Sequence, residues 1–268
     1  MDSQQKKDRP KKIVVKNLSI DFDCEQGKIH AVKNVSFEIL KGSITALVGE
    51  SGSGKSVTSM SLMGLLDSNG KVTGGNVFWE KNDLLKMKPK KRMALNGNLF
   101  GMIFQDPMTS LDPLFSIETQ MVEGIRYHSR CSKKEAYEKA VKNLFDMGFD
   151  EPEKLMKKRP FELSGGMCQR VMIAMMIALE PQFLIADEPT TALDVTVQKQ
   201  ILKKIYRICH EKNVGVLFIT HDLGVVGEIA DKVYIMQKGE IVDKGNAFDI
   251  FDRPNHSYTK KLIASIIN

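Results

Sequence analysis

The chain has 268 residues, of which 42% are hydrophobic and 27% are charged, and its formal net charge is +6 (39 Lys and Arg against 33 Asp and Glu). This composition excludes intrinsic disorder for the bulk of the chain, because disorder requires few apolar residues and a high net charge. The longest apolar run, Val171–Leu179, is much shorter than the roughly 20 residues of a membrane-spanning helix. Four cysteines without metal-ligand spacing predict reduced thiols rather than a zinc or iron–sulfur site.

The first half of the chain predicts strands, a loop and a helix. Ile13–Val15 and Val35–Ile39 have the apolar, β-branched character of strands on either side of a turn near Gly27. Ser43–Val48 is a third run of this kind. It leads into a glycine-rich loop, behind which Ser56–Leu66 has helix-forming character. The predicted order is therefore strand, loop, helix.

Two later apolar runs, Phe183–Ala186 and Gly215–Ile219, predict buried strands. Runs of this kind separated by helices are typical of a parallel sheet that is covered on both faces. Between Asp106 and Leu163 no strand pattern occurs, and Ser132 with Glu135 three residues later fits a capping box at the start of a helix. We therefore expect a helical insertion in an α/β core.

The glycine-rich loop fits the pattern G-x-x-x-x-G-K-[ST] in full. Its residues are Gly49, Glu50, Ser51, Gly52, Ser53, Gly54, Lys55 and Ser56. The glycines let successive N–H groups point at a phosphate, and the start of the following helix adds partial positive charge. Lys55 is placed to reach the β- and γ-phosphate oxygens, and the Ser56 hydroxyl to bind Mg²⁺. Since a chance glycine-rich turn would lack the flanking strand and helix, we interpret this phosphate loop as a nucleoside triphosphate site.

Two adjacent carboxylates, Asp187 and Glu188, follow the predicted strand Phe183–Ala186. Charges at the end of a buried strand are costly unless a cation or polar groups meet them. Asp187 suits a Mg²⁺ ion, held directly or through water, and Glu188 suits a general base that polarises the attacking water. An acidic surface turn is the alternative for the pair alone, but the phosphate loop in the same chain favours the catalytic interpretation.

The stretch Glu162–Arg170 resembles the signature motif of the ABC (ATP-binding cassette) ATPases. We call its residues Ser164, Gly165 and Gly166 the signature turn. A helix is predicted directly behind it, from Met167 to Leu179, and a helix start is a second place where N–H groups bind an anion. A flexible linker is the alternative, which the apolar helix disfavours. Where the family usually has Gln, this chain has Met167.

The resemblance implies roles for further residues. Gln105, in a stretch similar to the family's Q-loop, would reach Mg²⁺ and the attacking water. His221 resembles the switch histidine that contacts the γ-phosphate, and Ala192–Asp194 resembles the D-loop at the dimer interface. An aromatic residue stacks on adenine in this family, for which Phe22 is the candidate. His30 in that role, or Phe22 as a plain core residue, are the alternatives.

The fold class that the resemblance implies is α/β, with a P-loop NTPase (RecA-like) core built on a parallel sheet. An N-terminal antiparallel β subdomain and an inserted α-helical subdomain complete the cassette. The expected boundaries are a polar tail over 1–11, the core over 12–105 and 164–246, the helical subdomain over 106–163, and a C-terminal helical extension over 247–268. ATP with Mg²⁺ would be clamped between two cassettes, the signature turn of one capping the nucleotide held on the other.

Within the family, Gly101–Pro113, Asp187–Thr196 and His256–Thr259 are similar to D-type subunits of the peptide/nickel importers. This implies a second ATPase as partner, either a related F-type chain or a second copy of this one. It also implies two membrane permease subunits, an extracellular or periplasmic solute-binding protein, and a place on the cytoplasmic face of the membrane. The cargo would be peptides, nickel or a metal–metallophore complex. The end at Asn268 is similar to the shorter nickel-type subunits.

Two other functions share some of these motifs. Relatives that act on DNA insert a long coiled coil, those that act on ribosomes usually carry two cassettes, and this chain has neither feature. Its basic clusters, at 6–12 and 86–92, contain no aromatic residues on which bases would stack. We therefore expect no nucleic-acid partner. A P-loop kinase would share the phosphate loop but would have no use for the signature motif.

Overall fold

The computed structural model describes residues 11–25, 27–190 and 193–265. In chain order the strands are β1 (Lys12–Cys24), β2 (Gly27–Leu40), β3 (Ile44–Val48), β4 (Gly70–Trp79), β5 (Asn82–Asp83), β6 (Phe100–Ile103), β7 (Phe183–Asp187), β8 (Gly215–Thr220), β9 (Lys232–Gln237) and β10 (Glu240–Asn246). The helices are α1 (Lys55–Met63), α2 (Pro89–Met93), α3 (Pro107–Ser110), α4 (Ile117–His128), α5 (Lys133–Asp146), α6 (Pro152–Met156), α7 (Gly165–Ala178), α8 (Val195–Glu211), α9 (Leu223–Ile229), α10 (Ala247–Asp252) and α11 (Ser257–Ala264).

The chain divides into two compact units. The first unit comprises residues 1–89 and 209–268, and the second comprises residues 90–208. Strands β1–β5 and β8–β10 therefore belong to the first unit, together with α1 and α9–α11. Strands β6 and β7 and helices α3–α7 belong to the second. Within the described residues, no helix has the length and apolarity needed to cross a membrane.

An antiparallel sheet in the first unit has the strand order β2-β1-β4-β5. Its alternating apolar residues pair across β1 and β2, with Ile13 opposite Ile39 and Val15 opposite Phe37, and all four are buried. The predicted N-terminal antiparallel β subdomain is thus confirmed. Strands β1 and β2 extend further toward the turn than their apolar cores suggested, because the hairpin ladder continues through polar residues as far as Cys24 and Gly27.

A second group of strands in the first unit has the order β10-β9-β3-β8. Strand β3 is parallel to both β8 and β9, and all five of its residues are buried, as its continuous apolar run predicted. Its last residue, Val48, pairs with Thr220 of β8 and with Ile235 of β9. The chain segments that leave β3 and β8 therefore start side by side at one edge of the sheet.

The second unit contains a parallel pair, β6 and β7, together with helices. Both strands are fully buried, and Ile103 pairs with Ala186 near their carboxyl ends. Helix α7 is apolar almost all round and packs against α3, α4, α5 and β6, as expected of a buried helix. Residues 106–163, all of them described, contain α3–α6 and no strand. Together with the parallel strands of both units, these helices confirm the predicted α/β fold class.

Helix boundaries follow local capping. Helix α1 ends at Met63 because Gly64 adopts the left-handed conformation (φ 74°), so the predicted extension to Leu66 is wrong. Helix α5 begins with the predicted capping box, in which Glu135 N donates to Ser132 Oγ at 3.2 Å and Ser132 N to Glu135 Oε2 at 2.7 Å. At the carboxyl end, Pro254 separates α10 from α11. Residues 266–268 of the predicted helical extension lie outside the described residues.

Candidate functional site

The phosphate loop connects β3 to α1 and depends on glycine at two close backbone contacts. A Cβ atom on Gly49 would lie 2.1 Å from the carbonyl oxygen of Met236, and one on Gly54 would lie 2.5 Å from that of Ala31. Gly54 also has a φ of 100°, which residues with a side chain rarely adopt. Any larger residue at either position would displace the loop from the strands beside it.

Lys55 is held inside the loop by its own backbone. The side chain is 4% exposed, and Nζ donates to the carbonyl oxygens of Gly49 at 2.7 Å and Glu50 at 2.9 Å. The Glu50 carbonyl also accepts a hydrogen bond from Ser53 N at 3.2 Å. The ammonium group that the sequence predicts to contact phosphate is therefore positioned before any ligand is bound.

The hydroxyl of Ser53 provides a test of whether the loop fits a phosphate. Ser53 is 5% exposed, and its Oγ has no hydrogen-bond partner within the described residues. Leaving a buried hydroxyl without a partner costs about 1–3 kcal/mol, so such groups are uncommon unless a ligand or ion completes them. Gly52 beside it has open space where a Cβ would be. A buried donor, a nearby ammonium group and open space together fit an anionic oxygen ligand.

His221 lies beside the start of the phosphate loop. It is exposed and directly follows Thr220, which pairs with Val48, the residue before Gly49. The next residue, Asp222, caps α9 by accepting from Gly224 N at 2.8 Å, and its own N–H donates to Thr220 Oγ1 at 3.0 Å. The turn that presents His221 is thus fixed on its carboxyl side.

In the second unit, the structure brings two predicted catalytic residues into contact. Gln105 follows β6 and Glu188 follows β7, and Gln105 Nε2 donates to Glu188 Oε2 at 3.2 Å. Glu188 has a φ of 46°. This backbone conformation is uncommon for residues other than glycine and is often found at functional sites. Asp187, the last residue of β7, is 3% exposed. The parallel pairing of β6 and β7 explains why residues 83 positions apart in the chain meet here.

The signature turn forms the start of α7. Ser164 is its N-cap and accepts from Met167 N at 3.3 Å, so the helix begins at Gly165, two residues before the predicted Met167. Ser164 and Gly165 are exposed, and a Cβ on Gly165 would meet nothing within 4 Å. The turn therefore presents backbone N–H groups and a hydroxyl at an open surface.

Sequence reasoning missed Gln169, one turn further along α7. It is 1% exposed, and its Nε2 donates to the carbonyl oxygen of Pro189, the residue after Glu188, at 2.9 Å. Its Oε1 is buried without a partner in the described part of the chain. A glutamine within a largely apolar helix was the available signal, because buried polar side chains are nearly always hydrogen-bonded. Gln169 links the signature helix to the backbone behind Glu188.

The remaining predicted residues have less distinctive surroundings. Phe22 is half-buried in β1, and a Cβ on Gly70 of β4 would lie 2.8 Å from its ring. His30 is exposed, with Nδ1 2.8 Å from Asp21 Oδ1. Of the predicted D-loop, Ala192 lies outside the described residues, and Asp194 Oδ1 accepts from Val197 N at 3.0 Å.

The predicted metal ligands fit Mg²⁺ in their chemistry. They are the Ser56 hydroxyl, the Asp187 carboxylate and the Gln105 side-chain amide. Hydroxyl, carboxylate and amide oxygens are the hard ligands that this ion prefers. The predicted groups are divided between the two units. The first has a positive, donor-rich loop that suits phosphate, and the second has a carboxylate–amide pair that suits a metal-activated water.

Comparison with known proteins adds an independent observation. The ABC transporter family matches residues 32–191. The oligopeptide transport ATP-binding protein AppD of Bacillus subtilis (strain 168) is 48% identical over 253 residues, which cover 94% of this chain and 77% of AppD. The dipeptide transport ATP-binding protein DppD of the same organism is 45% identical over 257 residues, covering 96% and 77%. Among solved structures, the dimeric ATP-binding cassette MJ0796 with ADP and Pi has a TM-score of 0.79 at 27% identity, over 88% of this chain and 98% of that one.

Proposed function

The chain belongs to the ABC transporter family as the ATP-hydrolysing subunit of an importer, and we propose that its cargo is a short peptide and that Mg²⁺ assists hydrolysis. The observation that carries the ATP-binding role is the phosphate loop, with Lys55 held at its centre and the unpartnered hydroxyl of Ser53 beside it. Peptide as cargo is supported by the relatives AppD and DppD, whose names give oligopeptide and dipeptide transport. The alternative of a soluble ATPase for nucleic acid or ribosomes is not favoured by these relatives.

The residues predicted to lie around the phosphates have the following parts in the proposed reaction. Lys55 and the loop N–H groups neutralise the β- and γ-phosphates. Ser56 and Asp187 would hold Mg²⁺, which would supply positive charge against the negative charge that develops on the phosphate oxygens. Glu188 accepts a proton from the attacking water, and Gln105, which donates to Glu188 Oε2 at 3.2 Å, orients that carboxylate. His221 contacts the γ-phosphate from the carboxyl end of β8.

Assembly with a second cassette is part of the proposal. The exposed signature turn is suited to cap a nucleotide on a partner ATPase, a related F-type chain or a second copy of this one, because a helix start binds anions. Two membrane permeases and an external solute-binding protein would complete the importer. The chain would then sit at the cytoplasmic face of the membrane and work the permeases through ATP-driven closure of the two cassettes.

The variant Glu188→Gln tests the catalytic assignment. We expect ATP binding to persist and the hydrolysis rate of the assembled ATPase to fall by about 10²- to 10⁴-fold, because a general base is removed. The ATP-bound dimer should then accumulate, which size-exclusion chromatography with ATP measures. Glu180→Gln is the matched control, since Glu180 has a similar backbone conformation (φ 52°) but pairs with Lys139. Wild-type hydrolysis in Glu188→Gln would refute the role of Glu188.

The cargo is tested separately, in cells. A strain in which the gene is deleted should lose uptake of labelled dipeptides and oligopeptides, and the wild-type gene should restore it. Nickel uptake in the same strain is the internal control. Loss of nickel uptake with peptide uptake intact would overturn the peptide assignment while leaving the ATPase assignment unaffected.

A further inference from the structure

The start of helix α11 contacts the phosphate loop, and the roles assigned so far do not include this contact. Tyr258, in the first turn of α11, is 6% exposed, and its ring lies in a hydrophobic cluster that includes Ala46 and Val48 of β3. Its hydroxyl oxygen accepts a hydrogen bond from the backbone N–H of Glu50 at 3.1 Å. The two residues are 208 positions apart in the sequence, so the contact exists only in the folded first unit.

With this hydrogen bond, both backbone polar groups of Glu50 are hydrogen-bonded. Its carbonyl oxygen accepts from Lys55 Nζ at 2.9 Å and from Ser53 N at 3.2 Å, while its N–H donates to Tyr258. With both its N–H and its C=O held, the backbone at Glu50 has little freedom to rotate. The position of the Lys55 ammonium depends on that carbonyl, and therefore indirectly on Tyr258.

The position of Tyr258 is in turn set by Asp243 of β10, which is 7% exposed. Asp243 Oδ2 accepts from Asn255 N at 3.1 Å, from His256 N at 3.0 Å and from Thr259 Oγ1 at 2.9 Å. These bonds hold the residues just before α11 and the first turn of the helix itself. Asp243 thus holds the start of α11 on β10, and Tyr258 in that start reaches the phosphate loop.

We propose that Tyr258 is a positioning residue for the phosphate loop, which holds Glu50 and, through it, Lys55 in the arrangement that receives the phosphates of ATP. The proposal deepens the function given above, since it rests on ATP binding by this loop. It also assigns a role to His256–Thr259, the stretch that the sequence comparison singled out without a function. Burial raises the pKa of Tyr258, so its hydroxyl is neutral at physiological pH and serves as a hydrogen-bond acceptor.

The variant Tyr258→Phe in the full chain removes the hydroxyl and with it the acceptor for Glu50 N–H, while the ring stays in place. Without this hydrogen bond, the loop must be ordered when ATP binds, and this costs free energy. We therefore expect the Kd for ATP to rise about 2- to 10-fold, the range of one neutral hydrogen bond. The exchange of the Glu50 amide, followed by NMR without nucleotide, should become faster while exchange in β3 stays unchanged. A merely structural role would accelerate both. The matched control is Tyr234→Phe, since Tyr234 is 3% exposed in β9 and packs its ring on Phe37.

The wild-type chain provides a second test that needs no variant. Coupling between two sites is reciprocal, so if Tyr258 favours ATP binding, ATP must stabilise the docking of α11. Hydrogen exchange in residues 257–264 should therefore slow when ATP is added to the wild type, and this effect should shrink in Tyr258→Phe but persist in Tyr234→Phe.

The outcomes distinguish failure of the ATP-binding function from failure of the role of Tyr258. Failure of the wild type to bind ATP would refute the function proposed for the loop. ATP binding by the wild type, with equal Kd and equal Glu50 exchange in Tyr258→Phe, would overturn the role of Tyr258 alone. Unchanged exchange of residues 257–264 on ATP addition to the wild type would overturn it as well.

Discussion

The phosphate loop in the first unit and the signature turn in the second are both predicted anion sites at a helix start, but they are built differently. The loop is held by hydrogen bonds from within its own unit: Lys55 donates to two loop carbonyls, and Tyr258 accepts from Glu50 N. At the signature turn, Ser164 Oγ accepts from Met167 N and the Ser164 carbonyl accepts from Cys168 N, both within the start of α7, while Ser164 and Gly165 are exposed. Groups that are already held in place lose little freedom when phosphate binds, whereas an open helix start needs a second surface to enclose the ligand.

The predicted catalytic residues of the second unit are held by an intermediate number of contacts. Glu188 contacts Gln105 at 3.2 Å, and Gln169 donates to Pro189 O directly behind it, so the carboxylate is placed by two neighbours from different elements. The groups predicted to bind phosphate are therefore held by more hydrogen bonds than the groups predicted to cap it. This is the division of labour expected when two cassettes share a nucleotide.

The largest expected effect that tests this comparison is on nucleotide affinity. Replacing Lys55 by Met removes a charged donor from the prepared site, and we expect the affinity for ATP to fall about 10- to 150-fold, corresponding to about 1.5–3 kcal/mol. Isothermal titration calorimetry on the full chain measures the change. Lys33→Met, which removes an exposed lysine from β2, is the control and should bind ATP normally. Unaltered ATP affinity in Lys55→Met would mean that the phosphate loop does not bind the phosphates of ATP through Lys55.

The next effect is on the stability of the first unit and depends on pH. Burial by itself raises the pKa of Asp243, but hydrogen bonds from His256 N, Thr259 Oγ1 and other donors outweigh it and hold the pKa below its usual value. Asp243→Asn removes the charge that these donors meet, and we expect a loss of about 2–3 kcal/mol in the free energy of unfolding at pH 7. Urea denaturation measures it.

The sign of the pH dependence follows from the lowered pKa. The wild-type carboxylate stabilises the fold at every pH above its unfolded-state pKa of about 3.9, and this contribution is lost as the pH falls through the lower folded-state value. The difference between wild type and Asp243→Asn should therefore be constant near neutral pH and shrink below about pH 4. A difference that grows on acidification would contradict the hydrogen bonds described for Asp243.

The smallest effect separates two serine caps within the second unit. Ser132 caps α5 and Ser164 caps α7, each through a backbone N–H three residues on. Replacing either by Ala should lower the free energy of unfolding by about 1 kcal/mol. Only Ser164→Ala should also lower ATP hydrolysis by the assembled ATPase, by about tenfold. If both variants hydrolyse ATP at the wild-type rate, the signature turn does not cap a nucleotide.

Several features could be predicted from the sequence because they depend on neighbouring residues. The capping box of Ser132 and Glu135, the apolar run of β3 and the α/β fold class are confirmed. The predicted ABC family and the importer ATPase function are confirmed by the comparison with known proteins. The sequence analysis did not predict strand β6, although all four of its residues are buried. Its apolar run is short, and its strand partner, β7, is brought beside it only by folding.

By itself, the sequence determined the chemistry of this protein: a phosphate loop, an acidic pair and a signature turn, each recognisable because its residues are adjacent and act together locally. The tertiary structure alone decided which distant groups support them. Gln105 meets Glu188 across 83 residues, Gln169 of α7 meets Pro189 in the turn after β7, and Tyr258 meets Glu50 across 208 residues. The physical reason is that local patterns specify strands, turns and helix starts, whereas hydrogen bonds between distant side chains are specified only by the packing of those elements against one another.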